Sequence, residues 1–156
     1  MSQFGDLYAR YYDLLYSDKN YMGEVEYVDS LIKANSNNAI TLLDMGCGTG
    51  KHAELFCERD YEVHGIDLSE DMLRIANTRR RGKEERLRFD HSSIQELNLN
   101  KKFDVAISLF HVMSYQNSNN ELIKAFEVAK SHLNEDGIFI FDFWYGPAVL
   151  TDKPAT

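Results

Sequence analysis

Apolar positions recur along this chain with two different periods. Between residues 20 and 34 they stand at Tyr21, Val25, Val28, Leu31 and Ile32, which is one face of a helix. A shorter helix is expected before it, in the tyrosine-rich stretch YARYYDLLYSDKNY, and NSNN at 35–38 ends the second. Beyond residue 38 short apolar runs alternate with helical patterns. The runs ITLLDMG, YEVHGIDLS, RLRFDHSS, FDVAISLF and IFIFDFW read as strands, and FDVAISLF is nearly all apolar, as a central parallel strand is. A helix opens at GTGKHAELFCERD. Ser69 caps another, SEDMLRIANTRR, with Glu70 and Asp71 in its first turn. Ser118 or Asn119 caps a third, in which Leu122, Phe126, Ala129 and Leu133 share a face, and NEDG then turns the chain into the last strand. This alternation predicts an α/β fold, a doubly wound parallel sheet with helices on both faces. One domain is expected over 1–156, with a helical N-terminal part at 1–38, a core at 39–144 and a tail at 145–156.

Composition narrows the function classes. The chain has 156 residues, 44% hydrophobic and 27% charged, which is ordinary for a globular domain. Its formal net charge of -8 argues against nucleic acid or an anionic membrane as partner. The run RRRGKEERLR at 79–88 is basic but carries Glu84 and Glu85, and reads as a solvated helix end and loop. The N-terminus shows no basic region followed by an apolar core, and no apolar run has the length of a membrane span, so a cytoplasmic protein is expected. Two cysteines, Cys47 and Cys57, make no disulfide framework, and the scattered histidines predict no metal site.

The densest chemistry lies in LLDMGCGTGKH, where Gly46, Gly48 and Gly50 alternate after an apolar run and Asp44. Glycines placed so let a ligand approach the backbone. A phosphate loop would need glycine at 45 and Ser or Thr at 52, but Met45 and His52 stand there. A dinucleotide fingerprint starting at Gly46 would need a third glycine at 51, where Lys51 stands. Asp67 ends the second strand 21 residues after Gly46, close to the ~20 at which a carboxylate holds ribose hydroxyls. An adenosine-like ribose without a pyrophosphate satisfies both findings. Singly, Asp67 could serve a helix-capping turn and Gly46 a tight turn.

LLDMGCGTGKHAELF, VHGIDLSEDML and KKFDVAISLFHVMSY together resemble the nucleotide-binding motifs of class I S-adenosylmethionine-dependent methyltransferases. YYDLLYSDKNY and FDFWYGPAVL are similar to small-molecule N-methyltransferases, particularly those that dimethylate amino groups of nucleotide-linked deoxyamino sugars. The resemblance implies a Rossmann-like sheet of order 3-2-1-4-5 and S-adenosylmethionine as cofactor. Asp44 and the turn from Gly46 through Cys47 and Gly48 to Gly50 would shape the pocket for the methionine part. Asp67 would hold the ribose, with Leu68 and Met72 on the adenine. Where family members often carry an aspartate for the adenine amino group this chain has Ser93, whose hydroxyl would substitute, helped by the backbone of Ile94. Leu109, Phe110 and His111 would face the sulfonium, and Tyr12 would belong to a lid.

Methyl transfer from a sulfonium asks for alignment and exclusion of water. An amine acceptor must also be neutral when it attacks, so a group must take or hold its proton. His111, Tyr115 and Tyr12 are the candidates. For His111 the alternative is a hydrogen-bonded core histidine, and for the tyrosine cluster simple helix packing. Three functions stay open: N-methylation of a small molecule such as a sugar nucleotide, O- or C-methylation of a metabolite, or cofactor binding without turnover. Family members carry an antiparallel hairpin after the fifth strand, and this chain is expected to lack it and to be the front part of a longer protein. Its fifth strand would then be an open edge suited to a homodimer.

Overall fold

The structure is a computed structural model that describes residues 6–36, 38–144 and 147. The tail expected at 145–156 lies, apart from Pro147, outside the described residues. Two helices lead, α1 (Asp6–Leu15) and α2 (Tyr21–Asn35), followed by β1 (Thr41–Met45), α3 (Lys51–Cys57), β2 (Glu62–Asp67), α4 (Glu70–Thr78) and β3 (Leu87–His91). Then come β4 (Phe103–Ser108), a 3-10 turn (Val112–Tyr115), α5 (Asn119–Ser131) and β5 (Leu133–Phe141).

The five strands form one sheet in the order β3-β2-β1-β4-β5, with every pairing parallel. Alternation along the strands divides the core. Leu42, Val63, Val105 and Ile107 pack with α2, α3 and α4 on one face, while Leu43, Met45, Ile66 and Ala106 pack with α5 on the other. Ser69 caps α4 as expected, and of the two candidates for α5 the cap is Ser118, with Asn119 the first helical residue. Ser69 Oγ accepts from Met72 N at 3.3 Å, and Ser118 makes a full capping box with Glu121.

Three element-level expectations are corrected. The buried stripe of α5 is Ala125, Val128 and Ala129; Phe126 stays 38% exposed at the rim against Phe139 and Phe141, and Leu133 already belongs to β5. On α2, Leu31 is only half-buried and Asp29 is buried, because its carboxylate accepts from Tyr61 Oη at 2.7 Å and Lys33 Nζ at 2.7 Å. NEDG does not precede the last strand but bulges out of it: Phe103 pairs with Leu133 and Val105 with Ile138, so Asp104 alone faces Asn134–Gly137. Asp104 holds that irregularity, accepting from Asn134 Nδ2 at 2.8 Å and from Ile40 N and Thr41 N at 2.9 Å each. Among the described residues no helix is long and apolar enough to cross a membrane.

Candidate active site

A cleft of about 580 Å³ opens at the carboxyl ends of β1, β2 and β4, roofed by α1. That is where open parallel sheets bind ligands, and the volume suits a small molecule. The chain leaves β1 into the glycine turn. Gly46 N and Cys47 N both donate to Ile66 O at 2.9 Å, and Gly46, Gly48 and Gly50 have φ of +86°, +54° and +74°. The three have different neighbours. A Cβ on Gly46 would lie 2.5 Å from Val112 Cγ1, and one on Gly50 would lie 2.7 Å from Phe89 Cζ, whereas one on Gly48 would meet nothing within 4 Å. Gly48 therefore presents its bare backbone to the cleft, while Gly50 lets α3 pack against β3 and α4.

Asp67 stands beside that open backbone. Its Oδ2 accepts from Gly48 N and its Oδ1 from Ser69 N, both at 2.8 Å. Burial pushes the carboxyl pKa up, against the pull of those backbone donors. Asp44 lies behind the turn, 3% exposed, and burial together with the Asp67 charge raises its pKa to about 7. Burial, then Asp44 and Asp67, likewise push the Cys47 thiol well up, so it is no nucleophile. Leu68, 63% exposed, lines the cleft together with the buried Met72, Ile94 and Leu109. The Ser93 hydroxyl lines the cleft too, but it is tied into its own turn, accepting from Glu96 N and donating to Glu96 Oε2, both at 3.2 Å.

The opposite wall follows β4. Phe110 and His111 take left-handed φ of 66° and 62°, a conformation that costs a non-glycine residue roughly 1–3 kcal/mol and needs outside support. Asp142 supplies it. Its Oδ2 accepts from Phe110 N at 2.9 Å and its Oδ1 from His111 N at 2.6 Å. The His111 ring lies 4.6 Å from the Trp144 ring, and its Nδ1 is buried with no hydrogen-bond partner among the described residues. The buried, hydrogen-bonded histidines among the described residues are instead His52, whose Nε2 meets Glu24 Oε2 at 2.7 Å, and His132, whose Nδ1 meets Val128 O at 2.8 Å while Nε2 accepts from Leu99 N at 3.0 Å. Tyr115 is exposed at the cleft mouth on the 3-10 turn. Tyr12 stacks with Tyr8, Tyr16 and Phe110, and burial raises its phenol beyond the range in which it could act as a base.

The cleft thus gathers Tyr12, Gly46, Cys47, Gly48, Asp67, Leu68, Met72, Ser93, Ile94, Leu109, His111 and Tyr115. Asp44 and Gly50 sit behind it, acting through charge and packing. Sequence reading missed Lys51, Gln95, Gln116 and Trp144 on the wall, and Asp142 beneath it. Asp142 had a signal, being a lone acid at the end of an apolar strand like Asp67. The glutamines had none. Among the described residues no cluster of His, Cys, Asp and Glu could hold a metal ion.

Residues 42–137 match a family described as a methyltransferase domain. The chain is 31% identical over 147 residues to a dTDP-3-amino-3,4,6-trideoxy-alpha-D-glucopyranose N,N-dimethyltransferase of Streptomyces venezuelae, covering 93% of this chain and 60% of that one. It is also 31% identical over 145 residues to a dTDP-3-amino-3,6-dideoxy-alpha-D-glucopyranose N,N-dimethyltransferase of Streptomyces fradiae, covering 92% of this chain and 55% of the relative. The chain therefore spans little more than half the length of these relatives. Among solved structures, SAM-bound CalS10, an amino pentose methyltransferase from Micromonospora echinaspora, superposes with a TM-score of 0.80 at 30% identity, over 87% of this chain and 57% of that one.

Proposed function

The chain belongs to the methyltransferase-domain family, and on that premise we propose that it binds S-adenosylmethionine in the cleft and serves methyl transfer to an amine of a small molecule, of the amino sugar nucleotide class. The observation that carries the reading is the pairing of the open backbone at Gly48 with the Asp67 carboxylate at the end of β2. A ribose diol fits that carboxylate, an adenine fits between Leu68 and the apolar wall of Met72 and Ile94, and the methionine part fits along Gly46–Gly48. The Ser93 hydroxyl is engaged by Glu96 and its carbonyl by Ser92, so the adenine edge is assigned to the backbone of Ile94. The bound cofactor supplies a methyl group on a good leaving group. The protein's task is to align and to exclude water, and alignment is worth up to ~7–11 kcal/mol.

The names of the relatives support an amine as acceptor over an oxygen or carbon. An amine must shed a proton around the transfer, and the His111 imidazole on the cleft wall, with Asp142 Oδ1 3.9 Å behind its Nδ1, is the group we assign to receive it. Tyr115 and Tyr12 act as walls, Tyr12 from the lid formed by the N-terminal helices. S-adenosylmethionine and S-adenosylhomocysteine should bind in calorimetric titration, and Asp67→Ala should weaken both by ~1–3 kcal/mol through loss of charge-assisted hydrogen bonds. Binding of NADH instead, or an Asp67 variant with unchanged affinity, would overturn the cofactor site. Methylation of dTDP-amino sugars then tests the acceptor.

A further inference from the structure

α1 is poorly anchored by apolar burial. Leu7, Tyr11, Leu14 and Leu15 are exposed, and Ala9 is its one buried apolar side chain among the described residues. Yet the helix roofs the cleft, resting on both walls. On one side Tyr16 meets Phe110 edge-on at 4.9 Å. On the other, Asp13 reaches the glycine turn itself: its Oδ1 accepts from the buried Thr49 hydroxyl at 2.6 Å. Arg79, just past α4, closes the circuit. It donates to Asp13 Oδ2, and through Nε to Thr49 O at 2.7 Å, while Glu54 steadies its other nitrogen at 3.0 Å. A ring of three hydrogen bonds thus joins the roof helix, the residue between Gly48 and Gly50, and an arginine held from behind.

Resting on the cofactor reading above, we propose that Asp13 is a positioning residue that latches α1 to the glycine turn and thereby sets how long a nucleoside ligand stays in the cleft. The roof presents Tyr8 and Tyr12 to the cleft, so a ligand leaving past them needs α1 to move. Moving α1 parts the ring contacts of Tyr12 with Phe110 and breaks the bonds from Asp13 to the glycine turn and Arg79. The latch therefore acts on escape more than on entry, as most tuning of affinity within one site does.

The test is stopped-flow binding of S-adenosylhomocysteine, read by the fluorescence of Trp144, the only tryptophan of the chain and a residue of the cleft wall. Asp13→Ala should raise the dissociation rate about tenfold or more, as loss of a charge-assisted hydrogen bond implies, with an association rate within about threefold and a modest fall in melting temperature. Leu14→Ala, on the exposed side of the same helix, should leave both rates alone. Dissociation unchanged in Asp13→Ala overturns the latch. Absence of binding by the unmodified chain overturns the cofactor reading and the latch with it. Should Asp13→Ala fail to fold, Thr49→Val and amide exchange over residues 7–15 of the unmodified chain decide instead. Faster dissociation in Thr49→Val and ligand-dependent protection of the helix uphold the latch, and the lack of either overturns it.

Discussion

At residue scale, Asp44 shows how burial turns an acid into a pH-dependent liability. Its carboxyl is enclosed at the end of β1, and burial with the neighbouring Asp67 charge lifts its pKa from 3.8 to about 7. Between those values the folded chain keeps a proton that the unfolded chain has released, so stability falls as pH rises through this window and the penalty is complete above it. Asp44→Asn should remove that slope and add ~1–3 kcal/mol at pH 8, seen in urea unfolding at pH 5 and 8. A variant with the slope of the parent would refute the assignment. The glycines separate in the same way. Gly48→Ala faces open space and should cost the fold only ~1–2 kcal/mol for its left-handed backbone, while blocking cofactor approach. Gly50→Ala collides with Phe89 and Ala76 and should lower the melting temperature far more. Calorimetry and thermal unfolding of both variants check the contrast; equal loss of stability in the two would contradict it.

At element scale, β5 is the weak member of the sheet. Its Ile138, Phe139, Ile140 and Phe141 are only half-buried, where β4 is almost wholly enclosed, and among the described residues it pairs on one side alone. Phe126, Phe139 and Phe141 form a partly exposed aromatic ladder along it, with ring centroids 5.1–5.9 Å apart. Such an edge invites a second chain. Amides of residues 138–141 should exchange faster than those of 103–108, and light scattering should show a mass that rises with concentration. A strict monomer with β5 as protected as β4 would mean that something else covers the edge. α5 is fixed at its start by a complete capping box and lays Phe126 on this ladder, so the helix and the edge strand support each other.

At the scale of the whole molecule, charge is arranged rather than merely summed. The basic run at 79–88 is no free patch: Arg79 holds Asp13 and Glu54, Lys83 holds Glu54 and Glu58, and Arg86 holds Asp60. These pairs tie α1, α3 and α4 to one another around the back of the glycine turn, leaving the cleft mouth to tyrosines, glutamines and the His111 ring. The reading of a solvated helix end was right for Arg81, which is exposed, and wrong for Arg79, which a sequence window cannot distinguish from its neighbours.

What this sequence determined by itself is what depends on residues close together in the chain. Strand and helix alternation, the caps of α4 and α5, the left-handed glycines and Asp67 at the end of β2 follow from periodicity, from side chains that reach two to four residues, and from backbone angles that only glycine adopts freely. Those alone prescribed a parallel sheet with a ligand site at its carboxyl end. The partners of each charge were decided only in three dimensions. Asp142 captures two amides 31 and 32 positions away, and Asp13 meets an arginine 66 positions away. Many acids could have made either bond, and only the order of strands chose which ones stand within 3 Å. The same holds for Phe126 and for the NEDG bulge, where apolar content and turn composition were plain but the register against β4 settled what is buried.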